Sequence, residues 1–327
     1  MDLNGVAWYI MDSDKGSINV ETGVVNSRCR ETPQCVFCPI CSQLSCEHFF
    51  DKSGHPVYRC RECGLRFIHP QPDDSVLQEI YGADYFLGEK SEESEIRVSN
   101  LKGATASCYL DRLKEYAGSN AGRLLEIGCG GGDLLVEARS RGFEVNGVEI
   151  SQSAANRANK LLGVESVLTG TIESVSLPEG SFDIIISADS IEHVRDPVRF
   201  LHRVWRLLKP AGVVLIVTPS LDSWTARLMG RQWMEYKIEH LYYFGKESMK
   251  RALRRTGFEN ISIEPNFKVL TLRYVQDHFC RFPVPIATPV LQLLSHLVPE
   301  NMVHRHIKVA AGGMLVMGKK QDVSKNS

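Results

Sequence analysis

Between Leu124 and Ile150 the chain reads Leu-Leu-Glu-Ile-Gly-Cys-Gly-Gly-Gly-Asp, then an amphipathic run, then Val-Asn-Gly-Val-Glu-Ile. This stretch fixes most of what the rest can become. Leu124 to Ile127 is short and largely apolar, as a buried parallel strand must be. Gly128, Gly130 and Gly132 follow at once and supply a turn that tolerates positive φ and lets backbone approach a ligand. Leu134 to Arg141 has helical periodicity, closed by Gly142 as a C-cap. Glu144 to Ile150 is a second strand with Glu149 at its carboxyl end. A carboxylate about 20 residues past a glycine turn is placed to accept bonds from a ribose diol. The expectation is an α/β chain, a Rossmann-like doubly wound sheet with a nucleoside-bearing ligand in its crevice.

The spacing of the glycines narrows the ligand. A dinucleotide site needs Gly-x-Gly-x-x-Gly beside a pyrophosphate. Here the turn is Gly-x-Gly-Gly-Gly, and Glu126 precedes it. An anion there repels a pyrophosphate and attracts an ammonium group. S-adenosylmethionine carries both the ribose and the ammonium, so Glu126, Gly128, Gly130, Gly132, Glu149 and Ile150 are its candidate binding residues.

At this point the chain resembles the class I S-adenosylmethionine-dependent methyltransferases over roughly Arg112 to Lys320. The matching blocks are Glu-Ile-Gly-Cys-Gly-Gly-Gly (126–132), Gly-Val-Glu-Ile-Ser (147–151), Gly-Thr-Ile-Glu (170–173), Ser-Phe-Asp-Ile-Ile-Ile-Ser (181–187), Ile-Glu-His-Val-Arg-Asp-Pro (191–197) and Leu-Lys-Pro-Ala-Gly (208–212). The resemblance implies a seven-stranded sheet over 119–320 and adenine contacts at Thr171 and Ile172, although Ile172 also reads as plain core. Further strands read at 164–168, 182–187, 213–217, 258–264 and 313–319. Asp189 falls at the carboxyl end of the fourth, where ligands of such sheets bind. Asp196-Pro197 is an N-cap with proline at the first helical position. Glu192 and His193 follow Asp189 at helical spacing; they either touch substrate or, as in some relatives that methylate phenols, a divalent metal, or else shape the turn.

Length enters here: 327 residues suggest about two domains. Cys38-Pro-Ile-Cys41 is followed, 18 residues on, by Cys60-Arg-Glu-Cys63-Gly. Each Cys-x-x-Cys makes a knuckle offering two thiolates, and two knuckles close a four-sulfur zinc site with no position for water. A small zinc ribbon over 35–70, with structural Zn2+ on Cys38, Cys41, Cys60 and Cys63, is therefore expected; Cys35 and Cys46 lack knuckle partners. Residues 1–34 read as a lead-in, and 71–118 as linker and helices, with an acidic loop at 81–95 that either folds over the cofactor or is solvated. Clustered cysteines in a chain whose start carries Asp2, Asp12, Asp14 and Lys15, with no secretory leader, imply a reducing cytoplasm.

Two insertions are expected, 220–245 and 265–307. The first gathers Trp224, Trp233, Tyr236, Tyr242, Tyr243 and Phe244, either as an aromatic lid over a substrate or as packing on the sheet. Its Tyr236-Lys-Ile-Glu239-His240-Leu-Tyr-Tyr243-Phe looks like a segment of the sugar C-methyltransferases, which also carry a four-cysteine region at the amino end. That resemblance implies His240 as base with Glu239 supporting it. His193 is the second candidate, and a near-neutral pKa suits the task. C-methylation is not carried over, since Lys237 and Ile238 depart from the pattern. Lys246 to Arg255 is a basic helix expected to be solvated. The apolar run 283–298 is too short to cross a bilayer; packing, a homodimer interface or a membrane surface are its readings. Residues 321–327 form a polar tail.

The expected function is methyl transfer to a small-molecule acceptor, such as a sugar nucleotide, glycan or other metabolite. An rRNA or tRNA methyltransferase using the ribbon is the alternative, and a net charge of -1 gives no strong nucleic-acid signal. A non-catalytic module that binds the cofactor is the third reading.

Overall fold

The computed structural model describes residues 36–80, 92–118, 121–281 and 298–321. The lead-in, most of the acidic loop, nearly all of the apolar run 283–298 and most of the tail lie outside these residues. Residues 37–327 form one unit, so ribbon and sheet are described together.

The main sheet is built from β4 (Gly122–Ile127), β5 (Phe143–Glu149), β6 (Val167–Thr169), β7 (Phe182–Ala188), β8 (Leu208–Pro219), β10 (Phe258–Leu270) and β11 (Ile307–Lys320). Its order is β10-β11-β8-β7-β4-β5-β6. β4 to β8 are parallel, whereas β11 runs antiparallel to β8 and β10 antiparallel to β11. The chain winds outward from β4 to β6, then returns to β7 on the other side. The crevice therefore opens between the carboxyl ends of β4 and β7, where strand order reverses. The seven expected strands are present, with β10 and β11 longer than the sequence suggests: β10 runs on to Leu270 and β11 starts at Ile307.

Helices fill the faces for the reasons their patterns give. In α3 (Asp133–Ser140) Leu134, Leu135 and Ala138 are buried. In α4 (Gln152–Leu162) the Ser151 side chain caps the Ala154 amide, and Gly163 ends the helix at φ 65. In α5 (Pro197–Leu207) the Asp196 carboxylate accepts from the amides of Val198 (3.0 Å) and Arg199 (2.9 Å), and Phe200, Leu201, Val204 and Leu207 face inward. The long α2 (Glu92–Ala117) lays Tyr109, Leu110 and Leu113 on the sheet. Among the described residues no helix is long and apolar enough to cross a membrane.

The second sheet holds a finding the sequence did not disclose. β1 (Cys46–Lys52), β2 (His55–Cys60) and β3 (Arg66–Ile68) form the expected hairpins, but the fourth strand is β9 (Tyr242–Tyr243), delivered by the 220–245 excursion. Arg66 pairs with Tyr243 and Phe67 with Tyr242. Behind this pairing Trp233, Tyr236 and Tyr243 pack with Phe50, Val57 and Ile68 as one core. The rings meet edge to face, Phe50 to Tyr236 at 4.8 Å and Tyr236 to Tyr243 at 4.7 Å between centroids. This corrects the aromatic-lid expectation. The ribbon alone is too small to bury a hydrophobic face, and the excursion supplies the missing half.

The basic helix α7 (Lys246–Arg255) buries Met249 and Leu253 and leaves Lys246, Glu247, Arg254 and Arg255 exposed, as expected. From that exposed face Arg255 also donates to the carbonyl of Ile40 (2.7 Å) and to Ser42 Oγ (2.9 Å), holding the first knuckle.

Candidate functional site

The glycine bend sits at the carboxyl end of β4. At Gly132 φ is 85, and a Cβ there would lie 2.8 Å from that of Ala158, so the bend can seat against α4 only as glycine. Glu149 holds the bend: its carboxylate accepts from the Gly130 amide (2.7 Å) and from the Ser151 amide (2.9 Å). A carboxylate has about four lone-pair directions, so two amides leave room for a diol. Glu126 is 5% exposed, and its Oε2 has no partner among the described residues. Burial first, then the charges of Asp133 and Glu149, pushes its carboxyl well above the usual range. A buried acceptor without a partner is costly, and an incoming ammonium group cures it. Both acids therefore fit the two ends of S-adenosylmethionine.

The remaining cofactor candidates divide. Ile150 is 65% exposed beside Glu149, open to a ring. Gly170 donates its amide to the Glu149 carbonyl at 2.9 Å, which brings Thr171 alongside. Ile172 is 3% exposed, which favours the core over the adenine among its two readings. Asp189 adopts φ 50 and pairs with Lys268 Nζ of β10 at 2.8 Å. A left-handed aspartate at a strand end is strained backbone held in the crevice.

On the other side of β7 a second group assembles. Glu192 is 1% exposed, and its Oε2 accepts from Thr218 Oγ1 of β8 at 2.9 Å. Burial first, then Asp189, pushes its carboxyl up to about 8. His193 Nδ1 lies 3.0 Å from the Glu239 carbonyl, and His240 Nδ1 lies 3.0 Å from the Glu235 carbonyl. The two rings are 4.7 Å apart and nearly perpendicular. One donor atom from each of Glu192, His193 and His240 falls within 4.8 Å of the others. A carbonyl only accepts, so Nδ1 carries the proton in both rings, and the His240 Nε2 keeps a lone pair.

Two expectations change here. Burial lowers both histidines, and His240, also repelled by His193, falls to about 2. The carboxylate near His240 is that of Glu235, 3.9 Å from Nδ1, whereas Glu239 contributes its backbone carbonyl to His193. Sequence reasoning missed Glu235, Thr218 and Lys268. Only Glu235 had a local signal, five residues before His240; the other two arrive through β8 and the unexpectedly long β10.

The four ribbon cysteines converge as their spacing asks. Cys38 and Cys63 sulfurs are 3.5 Å apart, as are Cys41 and Cys60, and all four lie within 4.8 Å of one another. Four sulfurs at about 2.3 Å from a tetrahedral centre are separated by about 3.8 Å, so the cage has the right size. Ser42 donates its amide to the Cys38 carbonyl (2.9 Å) and Gly64 to that of Cys60 (3.0 Å), closing both knuckles. Cys46 pairs with Cys60 across β1 and β2, beside the cage.

The family model described as a methyltransferase domain matches residues 103–263. A protein of Bordetella avium named ubiquinone biosynthesis O-methyltransferase is 33% identical over 166 residues, 46% of this chain and 68% of that protein. A Synechocystis protein named 2-methyl-6-phytyl-1,4-hydroquinone methyltransferase is 31% identical over 146 residues, 41% of this chain and 45% of that protein. A crystal structure described as a SAM dependent methyltransferase from Archaeoglobus fulgidus has a TM-score of 0.44 at 21% identity, covering 66% of this chain and 94% of that one. The chain spans between 45% and 71% of the length of the curated relatives it matches.

Proposed function

This chain belongs to the S-adenosylmethionine-dependent methyltransferases, and we propose that it methylates an oxygen of a small-molecule acceptor held over the carboxyl ends of β7 and β8. The observation that carries this reading is the grouping of Glu192, His193 and His240 beside Asp189, across the crevice from Glu126 and Glu149. Relatives named as O-methyltransferases support oxygen as the accepting atom.

When bound, the donor supplies a methyl carbon already activated by its sulfonium. Glu126 takes the ammonium group, Glu149 takes the ribose hydroxyls, and the glycine bend lets the backbone close on them. On the acceptor side the His240 Nε2 lone pair accepts the hydroxyl proton. Charging a buried imidazole is unfavourable, and the Glu235 carboxylate 3.9 Å from Nδ1 offsets part of that cost. The test is methyl transfer from radiolabelled donor into a fractionated metabolite extract, with RNA, protein, glycan and hydroxylated small molecules counted separately. Label in the RNA fraction alone, lost at raised salt, overturns the reading.

The clustering also favours a second reading, in which Glu192, His193 and His240 share a divalent cation. It predicts that chelation abolishes turnover and that added Mg2+ or Zn2+ restores it.

The ribbon cage is proposed to hold one structural zinc on Cys38, Cys41, Cys60 and Cys63. Metal analysis of protein never exposed to chelator should give about one zinc per chain; a value near zero removes the proposal.

A further inference from the structure

A ribbon ahead of a catalytic sheet is easily taken for a partner-binding module. Its backbone is committed elsewhere. The second knuckle ends at Cys63, and β3 begins three residues later. β3 pairs with β9, and just before β9 the Ile68 amide donates to the Leu241 carbonyl at 3.0 Å. The Leu241 amide then donates to the Glu192 carbonyl at 2.8 Å, and the Tyr242 amide to the same oxygen at 3.3 Å. A continuous run of main-chain bonds therefore joins the second knuckle to the residue next to His193.

Side chains repeat the connection a few ångströms away. Gln71, on the strap leaving the ribbon, donates to Tyr242 Oη (2.8 Å) and to the Arg195 carbonyl (3.0 Å). The Tyr242 hydroxyl itself donates to that carbonyl at 2.9 Å, and Arg195 Nη1 reaches back to the Pro72 carbonyl at 2.6 Å. The 190–196 loop is thus gripped at Glu192 and at Arg195, by β9 and by the strap. None of these bonds touches Glu126, Glu149 or the glycine bend.

We propose that the four-cysteine ribbon is a positioning device for the acceptor side: it sets β9, and β9 with Gln71 and Tyr242 sets the loop that carries Glu192 and His193. This rests on the reading that these residues face the acceptor. Gln71 and Tyr242 are positioning residues. A hydrogen bond whose loss frees a loop is worth roughly fivefold to tenfold in the population of the ordered form.

The deciding variant is Tyr242→Phe, which removes one hydroxyl and leaves the ring, the cysteines and β9 in place. Zinc content and the affinity for S-adenosylhomocysteine by calorimetry should match the parent. Hydrogen exchange should accelerate about fivefold to tenfold in peptides covering 189–196 and 238–244, with β4 unchanged. kcat should fall by a similar factor at constant donor KM. Stripping the zinc should accelerate the same two peptides further; if β4 loses protection as well, the decision returns to Tyr242→Phe. Unchanged exchange in both peptides overturns the proposal, and so does faster exchange with kcat held. A parent enzyme that transfers no methyl group refutes the functional reading instead, and the exchange result still decides whether ribbon and loop are linked.

Discussion

The two halves of the crevice are built on different plans. The cofactor half is local: Glu126, the glycine bend and Glu149 lie within 24 consecutive residues of one strand–turn–helix–strand unit. The acceptor half is assembled from segments remote in sequence, with Glu192 and His193 after β7, Thr218 on β8, Glu235 and His240 in the excursion, and Lys268 on β10. Local construction ties the first half to the ribbon-held loop only lightly, through Ser190 Oγ on the Ile127 carbonyl at 3.3 Å. Remote construction makes the second half depend on whatever holds the segments together, and here that is a four-stranded sheet containing two cysteine knuckles.

The sharpest way to break this contrast is His240→Ala. Removing the proton acceptor should lower kcat by about a hundredfold to ten-thousandfold while calorimetric affinity for S-adenosylhomocysteine stays put. Intact turnover with the true acceptor removes His240 from the chemistry. Glu149→Ala should do the reverse, weakening the same nucleoside by roughly a hundredfold through two lost charge-assisted bonds and leaving exchange protection at 238–244 untouched. Trp233→Ala strikes the junction: the ring is 2% exposed between ribbon and excursion, so truncation should cost about 3–5 kcal/mol and lower the melting temperature without a separate ribbon transition.

Two pH experiments give smaller effects and sharpen the assignment. With His240 as acceptor its pKa of about 2 keeps it neutral, and kcat should be level from weakly acidic to alkaline pH. With Glu192 as acceptor, the rate should instead climb as the carboxyl ionises through about pH 8. The linked stability has a definite sign: a carboxyl raised in the folded state contributes most below about 4.5 and loses that contribution as pH rises through about 8. Glu126 gives the last test. Its carboxyl is raised by burial and an ammonium favours the ionised form, so donor binding should release a proton and weaken in acid. Calorimetry in buffers of different ionisation enthalpy measures that proton; none released removes Glu126 from the ammonium end.

Legibility in the sequence followed the same divide. The strand segments of the main sheet, the Asp196 cap, the Gly132 bend and each knuckle were readable, because each depends on residues within a few positions of one another. Ile172 stayed open between two readings because a turn residue that faces a ligand and one that faces the core have the same composition. Glu239 and Glu235 were confused because a motif fixes which residues are near His240 in the chain, not which rotamer or carbonyl reaches its ring. β9 was invisible for a plainer reason: a two-residue strand has no period, and its partner lies about 175 residues upstream. The histidine pKa values depend on burial, which that pairing creates.

The aromatic core shared by ribbon and excursion also limits where this polypeptide can be cut. A fragment starting after the strap would keep the cofactor half whole, yet it would uncover Trp233, Tyr236 and Tyr243 and leave Arg255 without the Ile40 carbonyl and Ser42. Such a fragment exposes a sticky apolar face. Any expression boundary meant to yield a soluble catalytic piece therefore has to begin before the first knuckle.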